Sequence, residues 1–511
     1  MKASLPPGGI EPRPLCPGGN GPPAPGAVTD SLSQPLAGEN QAGAASVRPR
    51  IGLLALTLEL YETLAPGLRA SREAWLRGSV IPALQRQVDV LFTRAVFRRE
   101  DIEAAVAQFE AAKADALLIV LATYAPSQLS LPALRRTRLP LLIWNTQQLR
   151  GVDRTFTVDK MLENHGVHGT QDLANVLNRT GIPFHYVSSP DDDPSGLEEL
   201  ADFFAASAAV NRLRSARIGL LGSPFPGMGD FALDTTHLAA SLGCSWINLP
   251  LQEYIHRCRA AKPAEVSKLV REYRRCYEVA PDITEADLAG TAAAELAARG
   301  MMLAHRLNAW TYQFTAFGED ERTPTLPFVA ASRLMAEGLG FGGEGDLIAA
   351  AATAFFNWLK PPASFSEIFT IDFAGESLFL SHMGEANVAM ARRERRVPLL
   401  ARPTPITRTL GRQLALAISF EPGPATLAAL TLGPSHKWRL IAALAAIEDF
   451  GPLPSFCVPH LKLRPGSGDV RKFLTDYALA GGPHHNGVLL GDARRRLRLA
   501  AGLIGADYCE I

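Results

Sequence analysis

The run Arg50-Ile51-Gly52-Leu53-Leu54-Ala55-Leu56-Thr57-Leu58 is apolar almost without a break over the length of one strand, and Ala216–Gly222 (ARIGLLG) repeats its core further along the chain. A strand with one solvated face alternates apolar and polar residues, whereas one covered on both faces reads as a continuous apolar run, the habit of parallel sheets. The first run is followed by a helix-like stretch from Thr63 to Val88. Then come VDVLFTRAV (88–96), the helix-like REDIEAAVAQFEAAKA (99–114), and the strand-like DALLIVLA (115–122) and LPLLIWNTQ (139–147). Strands in this order, interleaved with amphipathic helices, predict a doubly wound parallel sheet. The second start at Ala216, after a helical stretch ending near Arg214, predicts another.

Outward from these two starts the composition shifts. Upstream, residues 1–47 hold PPGG, PGGN and GPPAPG, too little apolar surface to offset the entropy of ordering, and are expected to form a disordered extension. Downstream of about Pro361 the helical pattern gives way to β-branched and aromatic runs such as IFTIDF and LFLSHM, which predict a mostly β domain. The expected fold class is therefore α/β: two doubly wound parallel-sheet domains, 48–212 and 213–361, followed by a β-rich C-terminal domain, 362–511. A chain of 511 residues exceeds the roughly 250–300 residues at which single cores stop growing.

Charge and cysteine usage exclude several function classes. Lys+Arg and Asp+Glu both number 51, so no net field recruits nucleic acid or an acidic membrane surface. No apolar run approaches the roughly 20 residues of a membrane helix. The N-terminus lacks the basic-then-apolar order of a secretory leader, and the six cysteines form no CxxC pair. Free thiols and a cytoplasmic protein are expected, with a small neutral or weakly charged ligand.

The residues that carry chemistry punctuate apolar structure late in the chain. They are Glu344 in GGEGD (342–346), Glu367 in FSE (365–367), His382 in SHM (381–383), and His484 and His485 in GGPHHN (481–486). Two carboxylates and two imidazoles suit a hard or borderline divalent cation such as Mn²⁺, with positions left for water or substrate. Each has a plainer reading too. Glu344, before an apolar helical run, can cap that helix; Glu367 can be a solvated loop charge; His382 can be a satisfied core histidine; His484 and His485 can be a surface pair. The set spans too much sequence to form a local metal motif, so spacing leaves both readings open.

These segments resemble those of L-arabinose isomerases, in the same order. RLMAEGLGFGGEGDLIAAA (333–351) is similar to the run that supplies that family's first catalytic glutamate, and FSEIFTIDF (365–373) to the segment with the second. LFLSHM (378–383) and LAGGPHHN (479–486) resemble its two histidine segments. Weaker likenesses lie in 125–147, in VHGTQDLANVL (167–177) and in LVREYRRCYEVAP (269–281), so the resemblance covers nearly all of 48–511. It implies a Mn²⁺ site between domains held by Glu344, Glu367, His382 and His485, with Glu344 and Glu367 as the acid-base pair and His484 lining the site. It also implies a homo-oligomer, trimer or hexamer, acting on a small sugar. Gln147, His168 and Asp230 are the expected sugar contacts, by their positions at strand ends or in matching segments.

Departures leave the sugar open. Leu58-Glu59-Leu60-Tyr61 stands where the family carries a glutamine before its HLYG-type motif, Leu347 stands for a tryptophan, and Asn145-Thr146-Gln147 for HTQ. L-Arabinose, another sugar such as L-fucose, and a non-catalytic sugar-binding or regulatory role on the same fold all remain as readings. A dinucleotide site is excluded at Gly222–Gly229, where the spacing is G-x-x-x-x-G-x-G rather than G-x-G-x-x-G.

Overall fold

A computed structural model describes residues 48–319 and 322–511. The disordered extension expected for 1–47 lies outside the described residues. The chain divides between Asn211 and Arg212 into two compact units.

The first unit holds strands β1 (Arg50–Leu56), β2 (Asp89–Leu91), β3 (Ala116–Leu121), β4 (Leu141–Asn145) and β5 (His185–Ser188), in the order β2-β1-β3-β4-β5 and all parallel. Every residue of β3 is buried, as are all but the first of β1. The continuous apolar pattern thus has its physical cause: helices cover both faces, and Leu54, Leu117, Ile119 and Ile143 share one core with Phe109 and Leu173 from those helices.

The second unit contains three sheets. Strands β6 (Arg217–Leu221), β7 (Ser245–Leu249), β9 (Ala309–Tyr312) and β10 (Gly340–Gly342) make a parallel sheet in the order β10-β9-β6-β7, so the winding reverses direction between β6 and β9. Strand β8 (Tyr277–Val279) leaves that sheet to pair with β13 (Val397–Ala401), which in turn pairs with β14 (Leu414–Leu416). The rest is antiparallel: β11 (Ala363–Asp372), β12 (Ser377–Ser381), β15 (Gly423–Leu432), β16 (Trp438–Ile447), β17 (His460–Pro465) and β18 (His485–Leu490) run in the order β15-β18-β11-β12-β17-β16. Pairing of β15 with β16 closes them into a barrel, to which β19 (Asp507–Glu510) adds in parallel. Closure removes the free edges that an open sheet would expose. Parallel α/β sheets followed by a mostly β C-terminal region are the fold class that the residue pattern predicts.

The helix Leu347–Leu359 is buried along all but one of its residues and packs against both the parallel sheet, at β9 and β10, and the barrel, at β11, β15 and β18. It therefore reads as apolar all round. Among the described residues, no helix is long and apolar enough to cross a membrane. The expectation of free thiols holds at Cys244, Cys258, Cys457 and Cys509, fails at Cys276, which is disulfide-bonded, and at Cys16 lies outside the described residues.

Candidate metal centre

Strand register builds one side of the site. In the barrel, Glu367 sits opposite Ser381 on β12 and opposite His485 on β18, and His382 follows directly after β12. Three neighbouring strands thus end their functional side chains at one rim, where directly opposed residues lie within side-chain reach. The other side comes from the parallel sheet. Glu344 occupies the turn after β10, and Gly222–Asp230 is the turn after β6, both at carboxyl ends of strands beside the reversal in winding, where open α/β sheets place ligands. The two turns are tied by the Phe225 amide, which donates to the Glu344 carbonyl at 2.9 Å.

Glu344 adopts φ +59°, a left-handed conformation that costs a non-glycine residue roughly 1–3 kcal/mol and persists where surroundings hold it. Its neighbour Gly345, at φ +84°, could not carry a side chain, since a Cβ would lie 2.4 Å from the Ser223 carbonyl oxygen. Gly343 is needed for a different reason: a Cβ there would stand 2.8 Å from His382 Nε2. The turn thereby brings Glu344 to the histidines.

The helix cap belongs to Asp346, not Glu344. One Asp346 oxygen accepts from the Ala349 amide at 2.9 Å, and its other oxygen meets His485 Nδ1 at 2.9 Å. Glu344 is thereby left free to face the site. The same device recurs at the other imidazoles: His382 Nδ1 lies 2.6 Å from Glu385 Oε2, and His484 Nδ1 lies 2.6 Å from Asp230 Oδ2. A carboxylate on Nδ1 fixes the ring and its tautomer and leaves Nε2 as the free ligand atom, the usual support of a metal-binding histidine. Phe365 stands edge-on to His382 and His485, and Phe231 stacks on His485, so the rings are walled on their faces.

Ligand atoms of Glu344, His484 and His485 lie within 4.8 Å of one another, and so do those of Glu367, His382 and His485. His485 belongs to both groups. Its side chain is 1% exposed, and its Nε2 has no hydrogen-bond partner, an arrangement that costs free energy unless another group satisfies the nitrogen. A divalent cation fits that need, and two carboxylates with two or three imidazoles are a donor set that a borderline cation accepts.

The electrostatics agree. Burial works to raise the Glu344 pKa, but the imidazoles of His484 and His485, each 3.6 Å away, overcome it and hold the carboxyl at about 2. Burial works to lower the His485 pKa; Asp346, then Glu344, outweigh it and raise the value to about 10. His484 is raised by Glu344 against desolvation, with Asp230 adding to the effect. Without a cation, the His485 imidazole holds a proton at neutral pH in its place.

Of the residues singled out in the sequence, Glu344, Glu367, His382, His484 and His485 come together. Asp230, expected as a sugar contact, spends one oxygen on the backbone amide and Nδ1 of His484. Gln147 and His168 lie in the first unit: Gln147 is exposed after β4 and donates to the Leu149 carbonyl at 2.9 Å, and His168 is exposed in the helix Gly166–Arg179, edge-on to His165. Reasoning from sequence missed Asp346 and Glu385 as supporting carboxylates. Asp346 carried a signal, an aspartate directly before an apolar helix, and Glu385 another, the His-x-x-Glu spacing.

Residues 234–360 match the family model of the L-arabinose isomerase central domain, and residues 362–507 that of the L-arabinose isomerase C-terminal domain. The chain is 28% identical to an L-arabinose isomerase of Acidothermus cellulolyticus over 425 residues, 79% of this chain and 82% of the relative. It is 26% identical to that of Geobacillus kaustophilus over 449 residues, covering 86% and 88%. With that of Thermotoga petrophila it shares 26% over 390 residues, covering 74% and 77%.

Proposed function

The chain belongs to the L-arabinose isomerase family, and from that premise we propose that it is a metal-dependent aldose-ketose isomerase in which Glu344, Glu367, His382 and His485 hold one divalent cation. The observation that carries the reading is His485, whose unpartnered Nε2 is shared by both groups of ligand atoms. Mn²⁺ as the cation, a trimeric or hexameric assembly, a cytoplasmic setting and a division of the folded chain near residues 212 and 361 belong to the same proposal and rest on the family.

When bound, the cation supplies Lewis-acid polarisation of the sugar's carbonyl and hydroxyl oxygens. The remaining work is proton management by the chain. Isomerisation moves a proton between adjacent carbons and adjusts those on their oxygens, an enediol-type transfer that needs two acid-base groups. Glu344 and Glu367 are the pair: one takes the carbon-bound proton and the other serves an oxygen. Glu344 is ionised throughout the neutral range, which leaves it free to accept. Asp346 and Glu385 keep their histidines from turning away, and Phe231 and Phe365 limit water around the rings. Gln147, His168, Asp230 and His484 are the proposed sugar contacts, Asp230 through its oxygen not engaged by His484.

The test is turnover by metal-stripped protein, with Mn²⁺ restored, against aldoses that include L-arabinose and L-fucose. Mn²⁺-dependent conversion of one sugar, abolished in Glu344→Gln and His382→Ala, is the expected outcome and names the substrate. Binding of a sugar without turnover of any would replace the enzyme by a sugar-binding protein on the same fold.

A further inference from the structure

Tyr312 is the last residue of β9, at the point where the winding of the parallel sheet reverses, and the mechanism above makes no use of it. Its side chain is 2% exposed and packs among Trp310, Phe317 and Phe341. The phenol hydroxyl points out of this aromatic wall and donates to Glu385 Oε1, while Glu385 Oε2 lies 2.6 Å from His382 Nδ1. Tyr312, Glu385 and His382 thus form a buried chain of three groups that crosses from the parallel sheet to the barrel rim and ends at His382 Nε2.

We propose that Tyr312 is a positioning residue for the metal centre, acting through Glu385 to hold the His382 ring in its ligating orientation; the inference rests on the metal-dependent reading above. A carboxylate accepts at both oxygens and donates at neither, so a buried one stays in place only when both are satisfied. His382 satisfies Oε2, and among aromatic rings the Tyr312 hydroxyl satisfies Oε1. Burial, with the Glu385 charge adding to it, pushes the phenol well above its usual value, so the donor stays a donor. Without the hydroxyl, Oε1 faces apolar rings, the carboxylate turns to find another partner, and the imidazole loses the contact that fixes it. A direct partner of a metal-ligating histidine, as Glu385 is, affects metal binding by about 10–100-fold, and Tyr312, acting through it, is expected at the lower end.

The experiment compares Tyr312→Phe with Tyr254→Phe in the full chain. Tyr254 is equally buried in the same core and donates its hydroxyl to the Thr325 carbonyl at 2.9 Å, so its loss loosens the core without touching Glu385. Mn²⁺ dissociation constants are read by electron paramagnetic resonance, with melting temperatures alongside. The expected result is binding weaker by about tenfold in Tyr312→Phe and unchanged in Tyr254→Phe. In a Glu385→Gln background, adding Tyr312→Phe is expected to change affinity by less than about twofold, because coupled groups are non-additive. Unchanged affinity in Tyr312→Phe, an equal loss in Tyr254→Phe, or full additivity with Glu385→Gln overturns the proposal. Should the wild-type chain bind no divalent cation, the metal-dependent reading falls, and Tyr312 is decided separately by ¹⁵N-histidine spectra of metal-free protein. A shift of the His382 ring nitrogens in Tyr312→Phe alone supports its role over that ring; unmoved signals refute it.

Discussion

The carboxyl edges of the two parallel sheets carry polar side chains of the same kinds and hold them differently. At the edge in the first unit, Gln147 and His168 are exposed; Gln147 bonds within its own loop, and Tyr61 meets His165 Nε2 at 2.7 Å. At the edge in the second unit, the turns after β6 and β10 face the barrel rim, and each imidazole there has a carboxylate on Nδ1. Exposed groups with single contacts act nearly independently, whereas a buried network fails as a unit. Substitutions should therefore have small, separable effects at the first edge and large, interdependent ones at the second.

The strongest challenge to that contrast is at the carboxylates themselves. Glu344→Gln and Glu367→Gln keep shape and remove the acid-base function, and turnover should fall by about 10³-fold or more in steady-state kinetics. An effect no larger than that of Gln147→Ala would erase the distinction between the edges.

Asp346→Asn sharpens it. Asparagine still caps the helix, while the loss of charge on His485 Nδ1 should weaken Mn²⁺ binding by about 100-fold and lower the melting temperature of metal-free protein at pH 7 through loss of the buried ion pair. A large fall in melting temperature with unchanged affinity would make Asp346 a cap and nothing more.

pH gives a further handle. His485 in the metal-free chain is raised to about 10, and a cation must displace its proton, so Mn²⁺ affinity should rise about tenfold per pH unit through the neutral range. For stability the sign is opposite. A histidine with a raised folded pKa stabilises fully below its unfolded value near 6.5 and loses that contribution as pH climbs through about 10. Metal-free protein should accordingly melt at progressively lower temperature from pH 7 to 10 by calorimetry, less steeply in Asp346→Asn. Glu344, held at about 2, contributes in the opposite window: its share is present above about 4.5 and lost as pH falls through about 2.

The smallest effect belongs to the exposed edge. Gln147→Ala should leave the melting temperature unchanged and alter KM for the converted sugar by about threefold, with kcat preserved, as loss of one exposed hydrogen bond predicts.

How much of this was legible in sequence follows from the same contrast. Strands β1, β3, β4 and β6 were readable because burial on two faces leaves an unbroken apolar run, as in RIGLL at both starts, whereas β7, mostly exposed, carries no such run. The proposed ligands were readable as residue types in motif-like segments, and through family resemblance as a set. Their supports were not. Asp346 meets a histidine 139 positions away and Asp230 one 254 positions away, pairings that no local pattern encodes. Glu344 was ambiguous between ligand and cap, because sequence places two carboxylates before one helix and cannot say which turns outward. In the structure Asp346 is the cap, accepting from the Ala349 amide, and the left-handed backbone at Glu344 leaves its carboxylate beside His484 and His485.

The central claim is that one cation sits where the two groups of ligand atoms share His485. Anomalous diffraction at the manganese edge, from crystals grown with Mn²⁺, tests it most directly. One strong peak per chain is expected, about 2–2.5 Å from His382 Nε2, His485 Nε2 and carboxylate oxygens of Glu344 and Glu367. A peak elsewhere, or none at this site with Mn²⁺ in excess, would contradict it.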